Sequence, residues 1–225
     1  MSRGSIEVLA TAPHEFGRAG LWCRRRLAIG LLESGFRSAG LQRQRDAMLR
    51  LLCAMLAATP ATASCVFENA RLYNESGHMV TCDDLGGLSV ALYFAGEWCP
   101  LCRRFTPALR AFREKWSGSV QIVFISSDFS EAAMKEHYAH QLGGWIALAW
   151  DDPLAATLKR RYKVWSNTEV GTFGFNKRSG VPAVVVIDHT GAELAFLPGE
   201  RHGAVALLEW DPGDQMRRWP TKSEL

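Results

Sequence analysis

The sequence predicts an α/β domain whose central mixed, mostly parallel sheet is flanked by helices, preceded by a leader that is disordered or helical. Three observations carry this prediction. Two apolar runs of strand length, LSVALYFAG (88–96) and VQIVFISSD (120–128), lack polar alternation, the pattern of strands covered on both faces. Between them, PLCRRFTPALRAFREKW (100–116) spaces Leu101, Phe105, Ala108, Leu109 and Phe112 three or four apart, the period of a helix with one buried face. Hydrophobic residues make up 48% of the 225 and charged residues 22%, enough apolar material for a core and too little charge for global disorder.

Each element follows from local chemistry. Strand, helix and strand with short joints make a right-handed βαβ unit with parallel strands. Ser130 is placed to cap a helix over EAAMKEHYAHQL, which Gly143-Gly144 ends. WIALAW (145–150) is a short apolar strand. Asp152 as N-cap and Pro153 at the first helical position start a helix over DPLAATLKRRYKV. PAVVVID (182–188), the turn HTG and AELAFL (192–197) form a hairpin at one edge. A last helix is expected from Ala204 to Trp210, before proline and glycine break it.

The domain is expected over 64–225, after a leader over 1–63. The leader holds nine arginines, no lysine and four acids, so the net charge of +3 comes from it, and the body is nearly neutral. A body without a basic stripe argues against nucleic acid as a partner, and no apolar run reaches the length of a membrane span. LWCRRRLAIGLLESGF (21–36) has the look of a basic amphipathic or transit segment. MLRLLCAMLAATPATASC (48–65) has the layout of a secretory signal with an A-x-A site at 61–63. If translation starts at Met48, the mature chain begins near Ser64. Asn74-Glu75-Ser76 is a glycosylation sequon and the KSEL tail is one residue from a retention address, both pointing to the secretory route.

Six cysteines, Cys23, Cys53, Cys65, Cys82, Cys99 and Cys102, are too sparse for a disulfide-built scaffold. Cys99 and Cys102 form a C-P-L-C pair where the first strand gives way to its helix. There a sulfur faces unpaired N–H groups and the positive end of the helix dipole, so the Cys99 pKa should fall. Arg103 and Arg104 add positive charge nearby. A thiolate at Cys99 can attack a disulfide, and Cys102, one turn on, can resolve the mixed disulfide. Two other readings stay open: a zinc site drawing on Cys65, His78 and Cys82, and an inert structural disulfide. Pro107 should kink the helix. A cis Val181–Pro182 bond would set a backbone edge against the pair for an extended substrate; a trans strand-start proline is the alternative.

YFAGEWCPLCRRFTPAL, VFISSD and SGVPAVVVID, in that order, resemble the thioredoxin-like superfamily, and within it the tryparedoxin and nucleoredoxin branch. Trp98, Cys99, Pro100, Cys102, Arg103, Phe105, Thr106 and Pro107 carry the branch's motif. Trp145, Ala147 and Trp219-Pro220 also fit, so the resemblance covers roughly 66–220. It implies a thioredoxin fold, Cys99 as nucleophile, Cys102 as resolving thiol, Pro182 as the cis-proline, and Trp98, Pro100, Val181 and Pro182 as the surface that meets substrate. It also implies a protein-disulfide reductase, a monomer without cofactor or metal, acting on protein disulfides with electrons from a small dithiol or a reductase of the thioredoxin-reductase type. The compartment it implies is the cytoplasm, replaced by the secretory route if the chain starts at Met48, where Cys65 and Cys82 could pair. Other functions left open are a redox-sensitive protein-binding module and a secretory oxidase or isomerase. This sequence departs from the superfamily pattern at Tyr93, where classical members place a buried aspartate. Leu101 and Ala149 depart from the branch. The loop 166–180 is long; Phe173 and Phe175 form either a lip over the site or part of the core.

Overall fold

A computed structural model describes residue 48 and residues 64–214, 218–221 and 223–224. The leader's helix, the signal layout, Cys23 and Cys53 lie outside the described residues. The chain divides after Ala61, and the domain lies in the second unit.

Seven strands form one sheet in the order β2-β1-β5-β4-β3-β6-β7. They are β1 (Leu72–Tyr73), β2 (Met79–Val80), β3 (Ser89–Ala95), β4 (Val120–Ser126), β5 (Ile146–Leu148), β6 (Ala183–Ile187) and β7 (Glu193–Leu197). The helices are α1 (Pro100–Lys115), α2 (Glu131–Gln141), α3 (Pro153–Tyr162), α4 (Val170–Phe173) and α5 (Gly199–His202), with 3-10 turns at Asp83–Leu85, Asn167–Glu169 and Gly203–Glu209. No helix among the described residues is long and apolar enough to cross a membrane.

β3 lies inside the sheet, every residue buried, parallel to β4 and antiparallel to β6. In register, Tyr93 faces Phe124 and Val184. Tyr93 meets Phe105 of α1, and Phe124 meets His137 of α2. The next side chain, Phe94, meets Tyr162 of α3. Successive strand residues point to opposite faces, so α1 and α2 cover one face and α3 the other. The expected caps are present: Ser130 Oγ accepts the Ala133 N–H at 3.1 Å, and Asp152 Oδ1 accepts the Leu154 N–H at 2.9 Å.

Three expectations are corrected. The sheet is mixed, with two parallel pairings (β3–β4, β4–β5) and four antiparallel ones, rather than mostly parallel. The balance shifts because an unexpected hairpin, β1–β2, adds to the β5 side in antiparallel sense. The expected helix from Ala204 to Trp210 begins earlier, as α5, and continues as a 3-10 turn. Gly203, with φ +56°, breaks the regular α geometry between the two. Phe175 lies neither in the core nor against a partner ring but is 90% exposed.

Candidate active site

The site is built at the carboxyl end of β3. Gly96 leaves the strand where a side chain could not: a Cβ there would lie 2.5 Å from Trp98 Nε1. The loop is pinned to the end of β4. The Glu97 N–H donates to Asp128 Oδ1 at 2.6 Å, and Trp98 Nε1–H donates to the Ser127 carbonyl at 2.8 Å. The chain then enters α1 with Cys99 as N-cap in extended conformation and Pro100 at the first turn.

Cys99 is 5% exposed and Cys102 fully buried, and both are free thiols. The Cys102 N–H donates to Cys99 Sγ at 3.3 Å, and the Cys99 thiol lies 3.5 Å from the Val181 carbonyl. The Cys99 pKa is lowered to about 6, first by the hydrogen bond from the Cys102 thiol and then by the Cys102 and Leu101 N–H groups. Burial and the charge of Glu200 oppose the fall. Cys102 is pushed strongly up, first by burial and then by giving its hydrogen bond to Cys99. The pair is therefore asymmetric, one sulfur acidic and at the surface edge, the other protonated behind it. Arg103 and Arg104 are both exposed, and Arg103 pairs with Glu97 at 3.4 Å rather than turning to the sulfur.

Tyr93 occupies the place beneath Cys102. Its hydroxyl hydrogen-bonds Thr106 Oγ1 at 2.8 Å, and Thr106 donates to the Cys102 carbonyl at 2.9 Å. Burial, then the charge of Cys102, holds the Tyr93 pKa well above 10, so it stays protonated and cannot act as a base. Pro107 lies inside α1 without ending it.

The second wall is the loop before β6. The Val181–Pro182 peptide is cis. Glu200 braces the approach to it: Glu200 Oε2 accepts the Gly180 N–H at 2.6 Å and the Ser179 hydroxyl at 3.2 Å. Arg201 adds a bond to the Arg178 carbonyl at 3.2 Å. Trp98 stacks on Phe129 with ring centroids 5.4 Å apart, and Phe129 is 64% exposed. The structure thus brings Trp98, Cys99, Pro100, Cys102, Val181 and Pro182 together at one end of the sheet.

Behind this surface lies a polar network that sequence reading did not assign. His137 Nδ1 sits 3.1 Å from Asp128 Oδ2, with both side chains out of solvent. Lys159 donates to the Ser126 carbonyl at 2.6 Å and pairs with Glu169. Glu169 Oε2 accepts the hydroxyls of Ser127 and Ser166 and the Ser166 N–H, each at 2.8 Å. The loop 166–180 is thereby tied to the SSD end of β4. Phe173 packs on Trp165 at 5.5 Å under Arg160. VFISSD was the available signal for Asp128; Lys159 and Glu169 carried none. Cys65 and Cys82, the alternative zinc ligands, form a disulfide.

Residues 87–193 match the family model described as Thioredoxin-like. The chain is 31% identical over 121 residues to probable nucleoredoxin 1 of Arabidopsis thaliana, covering 52% of this chain and 18% of that protein. It is 39% identical over 82 residues to tryparedoxin of Trypanosoma brucei brucei, covering 36% of this chain and 55% of that protein. The crystal structure of a thioredoxin from Wuchereria bancrofti superposes with a TM-score of 0.52 at 26% identity, covering 68% of this chain and 95% of that one. The chain thus spans well under two thirds of the length of these curated relatives. Residues 87–193 carry a thioredoxin-like domain, and the chain is similar over part of its length to nucleoredoxins and tryparedoxins.

Proposed function

We propose that this protein is a protein-disulfide reductase, with a domain over 64–225 behind a leader over 1–63. The observation that carries the reading is the asymmetric thiol pair: Cys99 lowered to about 6 on a helix start and Cys102 buried and protonated behind it. The Cys99 thiolate attacks one sulfur of a substrate disulfide. A mixed disulfide forms, and the substrate's other sulfur leaves and takes a proton. Cys102 then gives up its proton and attacks Cys99 Sγ. The substrate's captured sulfur leaves as a thiol, and the Cys99–Cys102 disulfide is left. Two electrons from a small dithiol or a reductase of the thioredoxin-reductase type restore the pair. Trp98, Pro100, Val181 and Pro182 meet the substrate chain, and the protein acts as a monomer without cofactor. Insulin reduction driven by dithiothreitol tests this. The wild type precipitates insulin chains and Cys99→Ser does not; activity surviving in that variant overturns the reading.

A second reading of direction and compartment has its own support. Stable disulfides belong to oxidising compartments, and the Cys65–Cys82 bond favours the secretory route over the cytoplasm. There the same pair would work as an oxidase or isomerase. The redox potential of Cys99–Cys102 separates the two: a value near about −270 mV fits a reductant, and one near about −120 mV an oxidant.

A further inference from the structure

We infer that Asn74 is an N-glycosylation site, carrying an oligosaccharide on the tip of the β1–β2 hairpin. The motif Asn74-Glu75-Ser76 forms this tip, and residues 75–79 are exposed. The turn needs only the oxygen of the Asn74 carboxamide. Asn74 Oδ1 accepts the Ser76 and His78 N–H groups, each at 3.0 Å, and the Asn74 carbonyl accepts the Gly77 N–H at 2.9 Å. An aspartate would make the same turn. What the turn leaves over is the amide Nδ2 and the Ser76 hydroxyl, neither of which has a hydrogen-bond partner among the described residues. Those are the two groups sequon chemistry uses, the nitrogen as acceptor and the hydroxyl two residues on as recognition element.

A second observation is independent of the motif. The Cys65–Cys82 disulfide closes the segment that contains Asn74, and such bonds persist where lipid-linked oligosaccharide is also available. In the transfer, Nδ2 forms a bond to C1 of the first sugar of a lipid diphosphate oligosaccharide. The C1–O bond breaks, lipid diphosphate leaves, and the amide gives up a proton. No oxidation is involved.

The placement fits a bulky polar group. β2 is the outer strand on its side of the sheet, and Cys99 follows β3, with three strands between the two. A glycan there would shield a strand edge from pairing with other chains without covering the thiols. The inference stands apart from the direction of the redox reaction.

The test is expression of the full chain in eukaryotic secretory cells, with peptide mapping before and after peptide-N-glycosidase. The expected result is a glycan on the peptide holding Asn74, removed by the enzyme with conversion of the residue to aspartate. Ser76→Ala, which leaves the Asn74 turn intact, loses the glycan, and Ser76→Thr keeps it. Insulin reduction by glycosylated and deglycosylated protein should agree within about twofold. Unmodified Asn74 in the protein recovered from these cells, from whatever compartment, overturns the inference.

Discussion

Removing the Cys65–Cys82 bond should lower stability by a definite amount. The bond joins residues 17 apart in sequence. By the loop-closure relation, a loop of that size withholds about 3 kcal/mol of chain entropy from the unfolded state. The folded contacts of the segment do not depend on it. Phe67 stacks on Trp219 at 5.7 Å, the Val66 N–H donates to the His189 carbonyl at 2.8 Å, and the Gly87 N–H donates to the Trp219 carbonyl at 2.8 Å. A Cys65→Ala/Cys82→Ala variant should therefore fold and keep its active thiols, yet melt lower. At roughly 2–4 °C per kcal/mol for a domain of this size, the midpoint should fall by about 6–12 °C. Thermal unfolding by circular dichroism reads this directly, and urea unfolding should give the same loss with a somewhat steeper slope, because the unlinked unfolded chain exposes more surface. A midpoint within about 1 °C of wild type would show that the segment is not constrained in this way and would refute the reasoning.

Three further outcomes follow from the site. Glu200→Gln keeps an acceptor for the Gly180 N–H but removes the charge that raises Cys99, so the Cys99 pKa should drop below its value of about 6; a rise would contradict the arrangement. Glu169→Gln strands Lys159, which is 5% exposed, without its carboxylate and should cost about 3 kcal/mol in urea unfolding; a double Lys159→Met/Glu169→Gln variant should recover much of it. Burial alone would raise Asp128, but hydrogen bonds from His137, the Glu97 N–H and Ser126 outweigh it and hold the carboxyl below its usual value. A depressed carboxyl stabilises the fold above its unfolded pKa, and that contribution is lost as pH falls through the folded one. Stability should therefore decline with acid below about pH 4, and Asp128→Asn should flatten that limb.

What the sequence made legible was whatever repeats or caps. The buried runs at 88–96 and 120–128 announced β3 and β4, and Ser130, Asp152 and Pro153 marked helix starts by short-range hydrogen-bond chemistry that needs no tertiary context. The C-P-L-C pair and Val181-Pro182 were readable as residues, and the fold brings them together. The hairpin β1–β2 was not readable, because strands of two residues show no period. Nor was the burial of Lys159 or the half-burial of its partner Glu169: each reads as an ordinary solvated charge until the loop 166–180 folds onto the end of β4. Arg103 and Arg104 follow Cys102 in sequence, which suggested help for the thiolate. Helix geometry sends both outward, and the acidity of Cys99 comes instead from the Cys102 thiol and N–H groups at the start of α1.

The central claim is that Cys99 is the acidic, reactive sulfur. The direct measurement is the rate of iodoacetamide alkylation against pH on the reduced protein, with the labelled residue mapped by mass spectrometry. The account predicts labelling at Cys99 with a midpoint near 6, so that the thiolate already dominates at neutral pH. A midpoint near about 8.5, the value of an unperturbed thiol, or preferential labelling of Cys102, would contradict it.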